Sequence, residues 1–428
     1  MNKNFCFAAS LFVLFMLLAG CTAPGFNGTT ILSTVDIATP QPVAATQTDQ
    51  PAPVQTETTA PAEEESGWVA LVGEDGNVWM LDRADGNSIQ ITTDAVLMTA
   101  ESTAEPVRYC CLDWSSDGQL LSYMREQSVV ANGGYNYQYS FMIFDAASQT
   151  SRMILEGQPT VGYTWKPGTH LIAYGQPVDT RYWTSREAVP SEYAQGIWQV
   201  DADTGETDEL VPAERGYTLV MPAWSGDGRY LAFEEIRLME GRGEFAYFDA
   251  KTGQYNALEK KLGSYSWAPD GNRLAYDQID YIPQGGERIW LNTPDGAQGS
   301  GFSPAFDDTW FAFAPAFSPD GSKVAYLVYQ NDRIDQVDQV GQGSTVDPSI
   351  PAGQDNSNIF HLYVQNINSQ EPRDYGAFEQ VQKLRWTSDN RYVVFSTGPF
   401  DQKSVVEVNV ESGDIRRLGL GSEAAPQP

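Results

Sequence analysis

The sequence has few of the residues that most often carry chemistry or bind nucleic acids. Its 428 residues include four cysteines and two histidines, and 26 basic side chains stand against 56 acidic ones, which gives a formal net charge of −30. Proteins that bind DNA or RNA draw their affinity from clustered Lys and Arg, and no such cluster is present. We therefore expect no nucleic-acid partner. An acidic surface of this kind favours solubility or the attraction of basic molecules.

Signals for catalysis are scarce as well. The sequence has no Gly-x-Ser-x-Gly motif and no separate segment for a hydrolase domain. His170 and His361 lie far apart in predicted strands, where a lone histidine usually packs or faces solvent. The run from Asp201 to Glu206 is acidic but lacks the spacing of an EF-hand calcium loop. We predict no catalytic residue, no metal site and no cofactor, and the sequence does not favour an enzyme.

The N-terminal residues have the features of an export signal. Lys3 precedes an apolar run from Phe5 to Leu18, which is shorter than a membrane-spanning helix needs. The run ends in Leu-Ala-Gly-Cys at Cys21, which resembles the lipobox of bacterial lipoproteins. That resemblance implies cleavage before Cys21 and acylation of its thiol; a plain signal peptide with an incidental cysteine is the alternative. We expect residues 1–20 to be a signal peptide, and the lipid on Cys21 to anchor the chain to the extracytoplasmic side of a membrane, in the periplasm or on the cell surface.

Residues 21–66 follow as a segment rich in Thr, Pro, Ala and Gln. The segment from 22 to 66 has no Lys or Arg and no apolar periodicity, so it cannot bury enough apolar surface to fold. We predict a disordered stalk. A flexible chain of about 45 residues spans roughly 35–40 Å, which would hold the folded part away from the membrane.

A repeat that begins after residue 67 predicts the fold. Each of six segments opens with Trp or Phe, continues through a polar turn that usually contains Asp-Gly, and ends nine residues later in an aromatic residue. The six segments start at Trp114, Trp165, Trp224, Trp267, Phe317 and Trp386. Because Gly accepts a positive φ and Asp bonds the local backbone, Asp-Gly between apolar runs indicates a tight hairpin. A second hairpin follows each segment, often with a Thr-Gly or Ser-Gly turn, which makes four strands for each repeat.

The repeat Trp-Ser-x-Asp-Gly-x-x-Leu-Ala-Tyr/Phe, followed by Ile-Trp-x-x-Asp-x-x-Thr-Gly, resembles that of TolB-like β-propellers. The resemblance covers about Trp68 to Leu418 and implies an all-β propeller of four-stranded antiparallel blades, which we place at residues 67–421. The segment from Trp68 to Thr92 has most of a further blade, so we predict seven blades, or six if it only completes another blade. TolB itself has an α/β domain where this chain has the stalk, so the resemblance does not extend to the Tol system.

Cys110 and Cys111 are adjacent in a predicted strand. Successive side chains of a strand point to opposite faces, so we expect two separate, small, buried hydrophobic residues. A vicinal disulfide is the alternative, which an oxidising compartment outside the cytoplasm would allow.

The unequal loops predict where the propeller binds. With the strands of a blade lettered a to d from the channel outward, the a–b turns are short, whereas the b–c loops vary widely in length. Function concentrates in variable loops on a rigid scaffold, and Tyr, Trp and Arg dominate binding hot spots. The candidate binding face consists of Tyr135, Tyr137, Arg181, Tyr182, Trp183, Arg186, Tyr193 and Tyr281.

We predict that the chain is a membrane-anchored scaffold that binds a protein, a peptide or a glycan at this face, with Trp183 as the best exposed anchor. One alternative is that these aromatic residues only pack their own loops. Another is an enzyme that processes glycans or peptides with carboxylates at the propeller channel, which requires two carboxylates within about 10 Å of each other.

Overall fold

The computed structural model describes thirteen stretches of the chain, all of them after residue 66. These are residues 67–97, 105–131, 134–156, 162–176, 191–213, 216–236, 243–258, 262–278, 288–294, 299–304, 310–330, 359–399 and 402–428. They are mainly β-strands, with a short 3-10 helix at Ser191–Tyr193. Within these stretches no helix is long and apolar enough to cross a membrane. Cys21, the expected signal peptide and the expected stalk lie outside the described residues.

Five four-stranded antiparallel sheets, which we call blades A to E, follow one another along the chain. Blade A consists of β4 (Val107–Trp114), β5 (Leu120–Ala131), β6 (Gly134–Asp145) and β7 (Thr150–Glu156). Blade B consists of β8 (Tyr163–Trp165), β9 (Leu171–Gly175), β10 (Ile197–Asp201) and β11 (Thr207–Val211). Blade C consists of β12 (Thr218–Trp224), β13 (Tyr230–Ile236), β14 (Glu244–Asp249) and β15 (Gln254–Ala257). Blade D consists of β16 (Leu262–Trp267), β17 (Leu274–Gln278), β18 (Ile289–Asn292) and β19 (Ser300–Gly301), and blade E of β20 (Trp310–Phe317), β21 (Lys323–Gln330), β22 (Ile359–Asn366) and β23 (Arg373–Glu379).

The two ends of the propeller share one larger sheet, which we call the closing sheet. Its N-terminal strands are β1 (Trp68–Gly73), β2 (Val78–Asp82) and β3 (Ser88–Gln90). Its C-terminal strands are β24 (Gln382–Trp386), β25 (Tyr392–Thr397), β26 (Ser404–Asn409) and β27 (Ile415–Pro426). The strand order is β24-β25-β26-β27-β1-β2-β3.

The predicted count of seven four-stranded blades, with six as the alternative, is wrong. The structure has five four-stranded blades, and the remaining seven strands form the closing sheet. The physical reason is β27, whose first half pairs with β26 from Ile415 to Leu420 and whose second half pairs with β1 from Gly421 to Pro426. One continuous strand therefore completes two repeats, which a count of separate sequence repeats does not reveal.

The sheets surround a central channel. The first strand of each blade is the innermost, and these strands contact one another in turn: β4 with β8, β8 with β12, β16 with β20, β20 with β24, and β27 with β4. Blades C and D are joined through Tyr265, whose hydroxyl donates to the Met221 carbonyl oxygen at 2.8 Å. Apolar residues fill the space between neighbouring blades, as Phe141 of blade A does against Ile172 of blade B. Both faces of each blade are thereby covered.

The repeated motif has a direct structural explanation. Ser115 donates its hydroxyl to the Asp117 carboxylate at 2.6 Å and accepts the N–H of Leu120 at 2.9 Å, which fixes the a–b turn. The same arrangement recurs at Ser225 with Asp227, Ser318 with Asp320, and Thr387 with Asp389. These hydroxyl residues are buried, so the turns are rigid ends of the blades.

In three repeats the tryptophan of the motif ties its inner strand to the neighbouring inner strand. The indole N–H of Trp114 donates to the Ala425 carbonyl oxygen at 3.0 Å, and that of Trp267 donates to Ala223 at 3.1 Å. Trp386 makes the same bond to Ala316 at 3.0 Å. A buried indole usually finds such an acceptor, so in these three repeats the motif sets the register between blades as well as the turn, whereas the buried Trp224 indole has no acceptor among the described residues.

The Asp270-Gly271 turn has the expected geometry, and it leads to a test. Gly271 has a φ of +68°, and a Cβ atom there would lie 2.4 Å from an Asp227 carboxylate oxygen of the preceding blade. Gly271→Val should lower the free energy of unfolding by about 1–3 kcal/mol. Gly253→Val is the matched control, because Gly253 has a φ of +70° but open space around it. Thermal melts should rank Gly271→Val as the more damaging change; equal losses would mean that the contact with Asp227 contributes nothing.

Candidate functional site

The long connections leave the blades at one end. Because the strands are antiparallel, b–c and d–a connections lie at the end opposite the a–b turns. The connections from β9 to β10, β17 to β18 and β21 to β22 are of the b–c type, and the sixteen residues 91–106 between β3 and β4 are of the d–a type. We call this end the loop face.

The structure locates three of the eight predicted binding residues. Tyr135 and Tyr137 lie on β6, and Tyr193 ends the 3-10 helix before β10 with 38% of its surface exposed. The other five, Arg181, Tyr182, Trp183, Arg186 and Tyr281, lie outside the described residues, as does Cys21. They stay predictions.

A hairpin arm projects from blade A at the loop face. The last residue of β5 that pairs with β4 is Gln127, whereas the pairing of β5 with β6 continues to Ala131 and Gly134. Four further residue pairs at about 3.3 Å each give the arm a length of roughly 13 Å. Tyr137 and Tyr139 lie on the same side of β6 with ring centroids 6.4 Å apart.

The base of the arm carries a charged network. Arg108 forms an ion pair with Glu126 at 3.1 Å, and burial together with the Glu126 carboxylate raises the pKa of Tyr139. Tyr139 therefore stays a neutral phenol at physiological pH. Because Tyr139 packs against the apolar cluster shared with blade B, the tyrosine side of the arm faces blade B, whose b–c connection carries most of the predicted residues.

A second network lies nearby, and no motif in the sequence predicts it. Asp94, from the connection before β4, accepts the hydroxyl of Tyr109 and the guanidinium of Arg125 at 2.8 Å. Burial and the Asp94 carboxylate raise the pKa of Tyr109. The partners are separated in sequence and meet only because a d–a connection, an a-strand and a b-strand share this end of the propeller.

The inner strands share a backbone irregularity at the channel. Register shifts interrupt their pairing, and one residue of several inner strands has a positive φ of between 43° and 66°. These residues are Cys111, Met221, Ala314, Lys383 and Glu423. The first four each lie three residues before the aromatic that opens the motif. A β-bulge therefore repeats around the channel as part of the architecture, and the positive φ values alone do not mark a functional site.

Charged side chains line one side of the channel, and we call Asp113, Lys383, Arg385 and Glu423 the channel cluster. Arg385 contacts Asp113 at 2.6 Å, and Lys383 contacts Glu423 at 3.2 Å. Burial alone would raise the pKa of Glu423, but the two cations outweigh it, so the pKa lies below the ordinary value. The charges of Asp113 and Glu423 likewise raise the pKa of Arg385 against the effect of burial. Glu423 is therefore an ionised carboxylate and Arg385 a cation at neutral pH.

The sequence contains one signal for this cluster. Charged residues precede the motif aromatic in two repeats, as Asp113 before Trp114 and Arg385 before Trp386. The other repeats have a small residue there: Thr164, Ala223, Ser266 and Ala316. Charged residues of opposite sign at a repeat position that otherwise holds a small residue indicate an ion pair between two inner strands. Among the described residues, no group of three or more His, Cys, Asp or Glu side chains could hold a metal ion.

Cys110 and Cys111 are joined by a disulfide, so the interpretation as two separate buried residues is wrong. The bulge between Cys110 and Asp113 explains the difference, because an extra residue in a strand ends the strict alternation of side chains. Cys111 accepts the hydroxyl of Tyr163 at its carbonyl oxygen, and Tyr163 also accepts the hydroxyl of Ser122 at 3.1 Å. The disulfide therefore borders the channel cluster.

His170 joins blades A and B at the end opposite the loop face, and it predicts a pH effect. Its ring nitrogens lie 2.9 Å from Asp203 and 3.1 Å from Asp117. Burial lowers the pKa of His170, but the two carboxylates raise it more, so it lies above the ordinary value. A raised pKa stabilises the fold fully below the unfolded value of about 6.5 and progressively less as pH rises through the folded value.

His170→Gln should therefore cost more stability at pH 6 than at pH 9. Asp117 has a lowered pKa and stays ionised across this range, so the change with pH belongs to the imidazole. Urea unfolding of both proteins at the two pH values measures the difference. A constant difference would show that the histidine contributes only as a neutral group.

Comparison with family models and with curated proteins finds no match. Solved structures do match. An oligogalacturonate lyase in complex with manganese shares 17% identity, with 79% of this chain and 83% of that chain covered and a TM-score of 0.53. The chain has a β-propeller fold. At this identity the likeness shows the fold alone.

Two further solved structures match the chain. A prolyl endopeptidase shares 12% identity over 80% of this chain and 46% of its own length, with a TM-score of 0.53, so the propeller spans less than half of that enzyme. TolB from Acinetobacter baumannii shares 12% identity over 87% of this chain and 69% of that chain, with a TM-score of 0.45. The lyase and the endopeptidase match the same fold although their functions differ.

Proposed function

We propose that the chain is a lipid-anchored, extracytoplasmic binding module, and that its loop face binds a protein, a peptide or a glycan. The observation that carries the proposal is the difference between the two ends of the propeller. The a–b turns are short and fixed by buried hydroxyl–carboxylate bonds, whereas the other end has the long connections and the projecting arm. A rigid scaffold with variable loops at one end is the usual construction of a binding site.

The anchor would set the position of this module. Acylation of Cys21 would attach the chain to the outer side of a membrane, and residues 22–66 would act as a tether. The formal net charge of −30 favours a basic or neutral partner over an acidic one, because long-range repulsion disfavours encounters between like charges.

Two matched structures belong to enzymes that act on oligogalacturonate or on peptides, so catalysis is the second candidate. The channel cluster does not favour it. A glycosidase-type mechanism needs one carboxylic acid that stays protonated, which requires a raised pKa. Glu423 has a lowered pKa and pairs with Lys383, while Asp113 pairs with Arg385. These carboxylates are neutralised by fixed cations, which supports a structural or binding role.

The binding proposal is tested by comparing variants of the full chain. Trp183→Ala and Tyr137→Ala should each reduce capture of the partner from membranes of the producing cells, with melting temperature nearly unchanged. Ile415→Ala is the control, because Ile415 is 52% exposed on the first half of β27, away from the loop face. If all variants capture equally, the loop face is not the site. If Trp183→Ala instead lowers the melting temperature by several degrees, Trp183 packs its own loop.

The anchor is tested separately. Cys21→Ala should leave an unprocessed precursor that takes up no fatty acid in metabolic labelling, whereas the wild-type chain is labelled. Fatty acid on the variant would contradict the anchor, and the binding result would still stand.

A further inference from the structure

The Cys110–Cys111 disulfide has an unusual setting. Both residues are half-buried and lie on β4, the innermost strand of blade A, beside the channel cluster. The other cysteines, Cys6 and Cys21, lie far away in sequence in the expected export signal and its cleavage site. The disulfide closes no loop between distant parts of the chain, so it adds almost nothing to stability by restricting the unfolded state.

The bulge does not need the disulfide. Met221, Ala314 and Lys383 adopt the same positive φ at the matching position of other inner strands without any cross-link. The bulge of the inner strand therefore places Cys110 and Cys111 for bonding before the disulfide forms. A pair of thiols at this position would keep the bulge and would close again to the disulfide by exchange with a small-molecule disulfide, which takes up the two electrons and two protons.

The packing around Cys110 and Cys111 depends on whether their two sulfur atoms are bonded. The N–H of Cys111 donates to Glu423, its carbonyl oxygen accepts the hydroxyl of Tyr163, and the Tyr163 ring packs against Phe141 with centroids 4.6 Å apart. Two bonded sulfur atoms are about 2 Å apart, whereas two thiols need roughly 3.5–4 Å. Protein interiors have few voids, so the neighbours of separated thiols must shift. Tyr163 is bonded to the Cys111 carbonyl oxygen and belongs to blade B, so a shift of Cys111 reaches the neighbouring blade through it.

We propose that Cys110–Cys111 is a reversible thiol–disulfide site for small thiols that enter the channel, and that its reduction moves Tyr163 and loosens the packing between blades A and B. A dithiol attacks one sulfur, forms a mixed disulfide and then closes into its own cyclic disulfide. The two electrons and two hydrogens that it gives up leave Cys110 and Cys111 as thiols. The innermost position of β4 favours small reductants over protein thiols. This inference does not depend on the lipid anchor or on the loop face.

Alkylation of the full chain tests the site directly. The folded protein is treated with dithiothreitol or with buffer, alkylated with iodoacetamide and digested with trypsin, which releases both cysteines in the peptide from Tyr109 to Arg125. We expect two alkyl groups on this peptide after dithiothreitol and none after buffer. Alkylation in buffer, or reduction that occurs only after unfolding, would overturn the proposal.

The structural consequence is tested by melting and fluorescence. Reduction should lower the melting temperature by about 2–4 °C, and reoxidation should restore it. The fluorescence of Trp165 reports the local change, because its indole donates to Ser122, and Ser122 donates to Tyr163. The Trp165 contribution is obtained by subtracting the fluorescence of the Trp165→Phe variant from that of the wild type. The double variant Cys110→Ala, Cys111→Ala should fold and show no response to dithiothreitol. A wild-type chain that is reduced at both cysteines without change in melting or in the Trp165 signal would contradict the coupling, whatever the double variant does.

Discussion

Removal of residues 421–428 should leave a chain that no longer folds cooperatively. These residues form the second half of β27, which pairs with β1 from Gly73 to Val69 and places Ala424 and Ala425 in the core. Their loss also removes the acceptor of the Trp114 indole. A domain is stable by only about 5–15 kcal/mol, and the deletion removes the only described partner of β1 on its inner edge together with the closure of the ring.

Circular dichroism and thermal melting of the shortened chain measure this effect. Removal of Pro428 alone is the control. Pro428 is exposed and lies beyond the end of β27 at Pro426, so its removal should leave the thermal melt unchanged. A shortened chain with a sharp transition near that of the wild type would show that the closing sheet is stable without its shared strand.

Glu407→Ala should destabilise the protein by about 3–5 kcal/mol, the cost of leaving a buried charge without its partner. Glu407 on β26 accepts the guanidinium of Arg83 at 2.8 Å and that of Arg416 at 2.6 Å. The side chains of Glu407 and Arg83 are 1% and 3% exposed, so water cannot replace the lost interaction. The Arg83 guanidinium also lies 4.6 Å from the centre of the Tyr392 ring, which holds it in place.

Chemical denaturation measures the loss. Glu411→Ala is the matched control, because Glu411 is an exposed acid in the turn after β26, and its removal should change stability by less than about 0.5 kcal/mol. If Glu407→Ala costs less than about 1 kcal/mol, the ion pair between the two ends of the chain is not needed for closure.

The hairpins of the blades could be predicted from the sequence because their signals are local. Ser115, Asp117 and Gly118 lie within four residues, and each side chain acts on the backbone beside it. Each repeat has four antiparallel strands, so the sequence also predicts at which end of the blades the long connections lie. For these reasons the sequence alone predicts the propeller fold and a face with long loops.

Features that join distant residues could not be predicted in this way. The closing sheet depends on a strand shared between β26 and β1, and the channel cluster joins Asp113 to Arg385 across the ring. The disulfide joins adjacent cysteines, so the sequence leaves it open as an alternative, and the bulge beside it appears only in the pairing of β4 with β5. Hairpin patterns in the sequence carry no information on these contacts, because they arise when the sheets come together.

The shared strand also sets the order of events when the chain is made. β1 is among the first folded residues to be synthesised, whereas its inner partner, the second half of β27, is among the last. Pairing of such distant segments carries the largest loop-closure entropy and slows folding. Until β27 has been made, the inner edge of β1 lacks this partner, and an open strand edge invites pairing with other chains. An interrupted translation product would therefore be prone to aggregate even though its five central blades are already present.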